Sequence, residues 1–121
     1  MSRLSSLNEL INFTKPVSVA TNELSAYEWD IDRPLVKLKV EHLTRVLAQY
    51  LSGALSAAQI ETWANAIEGR EDIEFDPSSS VGLAIHELAN PLLTQPLSRQ
   101  SAQVWVEIGR ASCRERVFAL V

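Results

Sequence analysis

The sequence predicts an all-α fold: a small bundle of about four helices with an irregular N-terminal segment. Apolar residues recur at helical spacing along residues 36–51 and again along 60–67. Ser-x-x-Gln and Ser-x-x-Glu patterns stand where helices are expected to begin. The stretches that alternate like strands, PVSVAT and YEWDIDR, have no evident partner strand.

At 121 residues the chain fits one domain with a modest core. A hydrophobic share of 46% and a charged share of 21% place it among globular chains, away from disordered ones. The net charge of −4 and pI near 5.1 argue against a nucleic-acid binder, which needs a basic stripe. They fit a cytoplasmic protein, or one that meets a basic partner. No apolar run approaches the roughly 20 residues that cross a bilayer, so no membrane is expected as partner. The N-terminus lacks the pattern of a signal peptide. A single cysteine, Cys113, gives neither a disulfide framework nor metal-ligand spacing, and no cofactor is expected.

Leu4, Leu7, Leu10 and Ile11 form the first helical stripe. Ser6 with Glu9 reads as a capping box, which starts that helix near Leu7, and Pro16 ends it. PVSVAT is read as loop. Residues 22–34 are read as an extended segment laying Tyr27, Trp29 and Ile31 onto the core.

The first long helix is expected to follow Pro34. Its stripe is Val36, Val40, Leu43, Leu47, Tyr50 and Leu51. Glu41 and Arg45 form a favourable i, i+4 pair of about 0.3 kcal/mol. Gly53 is placed to end the helix. Ser56 and Gln59 cap the second, whose apolar face is Ile60, Trp63, Ala64 and Ile67 and whose stop is Gly69. The short connection makes the two an antiparallel or steeply angled hairpin.

In residues 70–76, REDIEFD, Ile73 and Phe75 are expected to pin the segment while Glu71, Asp72, Glu74 and Asp76 face water. Pro77 and the serines 78–80 supply a linker and a cap; they lack the glycines of a phosphate-binding loop. A third helix, roughly 80–90, carries Val81, Ala84, Ile85 and Leu88 inward and is closed by Pro91. The loop PLLTQP is apolar enough to be packed. Ser98 opens a fourth helix with Val104, Trp105 and Ile108 inward.

His86 and Glu87 resemble the first half of a zinc-binding HExxH, but Asn90 stands where the second histidine belongs. A partly buried, hydrogen-bonded role is therefore expected for His86, and likewise for His42. Residues 61–76 hold six acids against Arg70, a net charge of −5. A solvated face is the ordinary reading. The functional one is a surface of Glu68, Arg70, Glu71, Asp72, Glu74 and Asp76, with a partly exposed Trp29, that docks a basic protein. A catalytic carboxylate pair would need a cleft that raises one pKa, which the sequence does not indicate.

The run LAQYLSGALSAAQIETWANAIEGREDI (residues 47–73), followed by IHELANP (85–91), resembles a group of small uncharacterised bacterial helical proteins, some of them immunity-protein-like. The likeness covers about residues 35–97. It implies a binding module that neutralises a toxin-like basic partner, and it implies no catalytic residue. Trp63, Ala64, Glu68, Arg70, Asp72 and Ile73 carry it. The expectation is thus a non-enzymatic protein-binding module. The alternatives are a small metal-binding or hydrolytic protein using His42 or His86 with Glu41 or Glu87, and a purely structural homo-oligomeric subunit.

Residues 107–117, EIGRASCRERV, match the in-frame translation of a widely used sequencing adapter over the whole run. The expected organisation is a single helical domain over 1–106, followed by a foreign tail over 107–121 that contains the one cysteine. Re-amplification of the locus from source DNA is expected to yield no codons for GRASCRERV. Finding them there overturns the adapter reading.

Overall fold

The computed structural model describes residues 3–26, 34–68, 70–76 and 78–119, without the side chains of 111–119. In chain order the elements are α1 (Arg3–Asn12), α2 (Val17–Leu24), β1 (Val36–Lys37), α3 (Val40–Leu51), α4 (Ala57–Ile67), β2 (Ile73–Glu74), α5 (Ser80–Ala89) and α6 (Arg99–Ala119). The fold is mostly helical, as expected, but the described residues form six helices and a small parallel sheet.

The added helix is α2, within the stretch read as loop. Pro16 stands at its N-cap with φ −56°, already set for helical entry. Val17, Ala20 and Leu24 make its buried face, whereas Val19 is 44% exposed. The Val17/Val19 alternation is thus incidental to a 3.6-residue period. Helix α1 begins at Arg3, not near Leu7. Ser6 is buried within it and donates to Glu23 Oε1 of α2 at 3.1 Å, so it is a helix–helix link and not a cap.

Helices α1 and α3 end in the same way. Gly53 (φ +89°) closes α3, with its N–H on Tyr50 O and that of Ala54 on Gln49 O. Phe13 (φ +52°) occupies the equivalent place after α1, with N–H bonds from Phe13 to Leu10 O and from Thr14 to Glu9 O. Both are Schellman caps, one built with glycine and one with a residue that adopts this conformation only at a cost.

Helix α3 starts at Val40 because residues 36 and 37 are drawn into a ladder. Val36 pairs with Ile73 and Lys37 with Glu74, in parallel. The Ser56/Gln59 capping box at α4 is present in both directions: Ser56 N–H to Gln59 Oε1 (2.8 Å) and Gln59 N–H to Ser56 Oγ (3.2 Å). Gly69 lies outside the described residues.

Although α3 and α4 follow one another, each finds its main partner elsewhere. Helix α4 lies along α5, and α3 along α6. Helix α6 runs antiparallel to α3, since Arg99 donates to Leu51 O at 2.8 Å while Gly109 meets the other end. A Cβ at Gly109 would stand 2.7 Å from Thr44 Cγ2 and 2.9 Å from Val40 Cγ1, so glycine permits this approach. The face α6 turns inward is Ser101, Ala102 and Val106; Val104 is 52% exposed, while Trp105 and Ile108 are half-buried. The loop after α5 is ordered but not packed. Leu93 and Thr94 donate their N–H groups to Asn90 O, which fixes the turn and leaves Leu92 and Leu93 in solvent.

Leu7, Leu10, Ile11, Leu43, Leu47, Ile60, Trp63, Ile67 and Ile85 form the centre of the core. Trp63 is fully buried, and its indole N–H donates to Leu10 O across the α4–α1 contact at 2.8 Å. Trp63→Phe is expected to lower stability by about 1–3 kcal/mol, because it removes ring volume and leaves the Leu10 carbonyl with the Phe13 N–H as its remaining donor. Chemical denaturation followed by circular dichroism measures it.

Candidate functional site

The acidic segment closes the α4 end of the molecule, and its side chains divide sharply. Asp72, expected in water, is 2% exposed. Arg70 grips it with two bonds, Nε to Oδ1 at 2.9 Å and Nη2 to Oδ2 at 3.0 Å. Arg3 reaches from α1 to Oδ2 at 3.2 Å. The Asp72 carbonyl accepts the N–H groups of Leu35 (2.9 Å) and Val36 (3.2 Å). Asp72 therefore turns inward because two guanidiniums satisfy its charge there while its backbone anchors the parallel ladder. Arg70 belongs to this clamp.

Burial by itself pushes the Asp72 carboxyl up, but the bonds and charge of Arg70, then of Arg3, outweigh it and hold the group below the ordinary aspartate range. Ile73 is buried and Phe75 half-buried, which is the pinning expected of them.

The side chains of Glu71 and Glu74 are exposed and, among the described residues, have no hydrogen-bond or ion-pair partner. Lys37 stands across the ladder from Glu74 by register. Asp76 is exposed and accepts Ser78 N–H at 2.9 Å and Ser78 Oγ–H at 2.8 Å, which hold its carboxyl low. Its carbonyl accepts the hydroxyl of Ser79 at 2.6 Å, and Ser79 Oγ caps α5 by accepting Gly82 N–H. Asp76 thus shapes the start of α5 as well as adding charge.

Glu68, at the end of α4, joins the two halves of the quoted signature. Its Oε2 meets His86 Nδ1 at 3.1 Å, and Asn90 Nδ2 donates to its Oε1 at 3.1 Å. His86 is hydrogen-bonded as expected, but its side chain is 57% exposed and not partly buried. It points off the outer side of α5, whose inner side is taken by Ile85 and Leu88. Glu87 accepts the Trp105 indole N–H at 2.6 Å and Gln95 Nε2–H at 3.2 Å, which ties α5 to α6.

His42 has a different task. Its Nδ1 accepts Lys39 N–H at 2.9 Å at the start of α3, and burial followed by the charge of Arg45 lowers its pKa. The structure therefore gives His42 and His86 separate partners. Among the described residues, no group of three His, Cys, Asp or Glu side chains is arranged to hold a metal. Trp29, Tyr27 and Ile31 lie outside the described residues, as does the side chain of Cys113.

An apolar groove of about 510 Å³ lies away from this segment, walled by Phe13, Pro16, Val17, Leu55 and Ala58. Its ionisable residue is Lys15, which is paired with Glu9 and Glu23. No described helix is long and apolar enough to cross a membrane. Compared with protein-family models, curated proteins and solved structures, the chain matches none.

Arg3 is the site residue that sequence reasoning missed. No local pattern marks it, because its partner lies 69 positions away. The clamp carries a pH dependence with a definite sign. A carboxyl held low in the folded state contributes stability that is full above its unfolded value, near 3.8, and is lost as pH falls through the folded value. Asp72→Asn is expected to cost about 2–3 kcal/mol at neutral pH and to flatten the fall in stability on acidification. Denaturant midpoints measured from pH 7 to pH 2 check both.

Proposed function

We propose that the protein is a non-catalytic protein-binding module, an immunity-like inhibitor whose acidic 61–76 region docks a basic, toxin-like partner. One observation carries the reading: Asp72 and Arg70 neutralise each other inside the molecule, so the segment's net charge of −5 rests on Glu61, Glu68, Glu71, Glu74 and Asp76. Glu61, Glu71 and Glu74 are exposed, and Glu71 and Glu74 flank a backbone held by the ladder and the clamp. Carboxylates fixed in this way steer a basic partner and lose little conformational freedom on contact. The resemblance of residues 35–97 to immunity-like proteins points the same way. The metal or hydrolytic alternative draws no support from the geometry, since His42 is engaged in starting α3 and His86 with Glu68.

The double reversal Glu71→Lys with Glu74→Lys tests the reading in pull-downs against the products of neighbouring genes. Binding is expected to fall at least tenfold and to weaken with added salt in the parent protein, with stability changed by no more than about 0.5 kcal/mol. Unchanged capture by the reversed protein removes the acidic face from the account. Asp72 is left intact in this variant, since reversing it would destroy the clamp and confuse lost binding with lost folding.

A further inference from the structure

We propose that helix α1 acts as a strap on the acidic segment, fastened by Arg3, and that the strap sets how rigidly Glu71 and Glu74 are presented. The proposal rests on the reading that these carboxylates meet a basic partner. Two guanidiniums hold Asp72, and they differ in what they tie together. Arg70 is two positions from Asp72, so its bidentate grip shapes the segment locally. Arg3 comes from the first turn of α1 and joins the segment to the body of the molecule.

Apart from the anchors Ile73 and Phe75, what is joined is a short ladder. Strands β1 and β2 are two residues each, well below the length that is stable alone. The N–H bonds from Leu35 and Val36 end on the carbonyl of Asp72, the residue whose side chain Arg3 holds. The next bond, Leu38 N–H to Glu74 O at 2.9 Å, depends on the same register. Releasing Arg3 therefore loosens the ladder and both flanking glutamates together. Arg3 lies a full turn before Leu7, Leu10 and Ile11, the apolar residues that α1 buries, so the fastening can be undone without unfolding the core. With the strap closed, a partner meets an ordered surface; with it open, the segment must be ordered during binding.

Arg3→Met and Arg3→Lys, compared with the parent protein, test this. Arg3→Met is expected to speed hydrogen exchange at the Leu35, Val36 and Leu38 amides by roughly tenfold or more, with the amides inside α4 unchanged. Arg3→Lys, which keeps one charged donor, is expected to restore part of the protection. An unselective rise, or no change at those three amides, overturns the strap.

Binding of a lysine-rich peptide supplies the second readout. Arg3→Met makes the protein more acidic, so simple attraction would tighten binding to this probe. The strap requires the opposite, a several-fold weakening. If Glu71→Lys with Glu74→Lys weakens the probe while Arg3→Met tightens it, the strap fails and the acidic docking surface stands. If the exchange result holds but the double reversal leaves the probe unaffected, the docking reading fails and the strap remains as a stability element alone.

Discussion

The bond from the Trp63 indole N–H to the Leu10 carbonyl is the contact on which the rest of the molecule depends. It places the largest fully buried side chain at the junction of α1 and α4, where its N–H is satisfied by the carbonyl that also accepts the Phe13 N–H in the cap of α1. Around it the helices sort into pairs that are not simply sequential. Helix α1 takes α2, α4 takes α5, and α3 takes α6. The domain is therefore a set of helix pairs gathered on one core, not a hairpin with additions. The acidic segment joins the two members of one of these pairs, from the end of α4 to the start of α5.

Much of this architecture was legible in the sequence, for reasons that can be named residue by residue. Helix α4 is where every local signal agrees: a reciprocal cap at Ser56 and Gln59, an apolar face of Ile60, Trp63, Ala64 and Ile67, and all four of those residues buried. Gly53 ended α3 as glycine does. Misreadings occurred where one local signal fits two structures. Val17 and Val19 lie two apart and suggested alternation, yet only one of them faces the core. Val36 fits the α3 stripe but is taken by a ladder with Ile73, thirty-seven positions later. Ser6 and Glu9 have the form of a capping box, but Ser6 is committed to Glu23.

The candidate site shows the same division. That residues 68–76 are acidic, and pinned by Ile73 and Phe75, follows from composition and pattern. That Asp72 turns inward does not, because the deciding group is Arg3 at the far end of the described chain. An acid within a charged run looks solvated until its distant partner is known. Glu68 with Asn90 is a related case: both halves of the quoted signature were visible, but their contact required the packing of α4 on α5.

The long reach of these contacts bears on the order in which the molecule assembles. Leu10 waits for Trp63, Arg3 for Asp72, and Leu51 for Arg99, separations of 53, 69 and 48 residues. Helices α1 and α2, and likewise α4 and α5, are by contrast neighbours in sequence, joined by residues 13–16 and 68–79. Loop closure favours these near pairs over the long-range contacts that join them. The contacts that tie these pairs to one another are thus made after the pairs themselves.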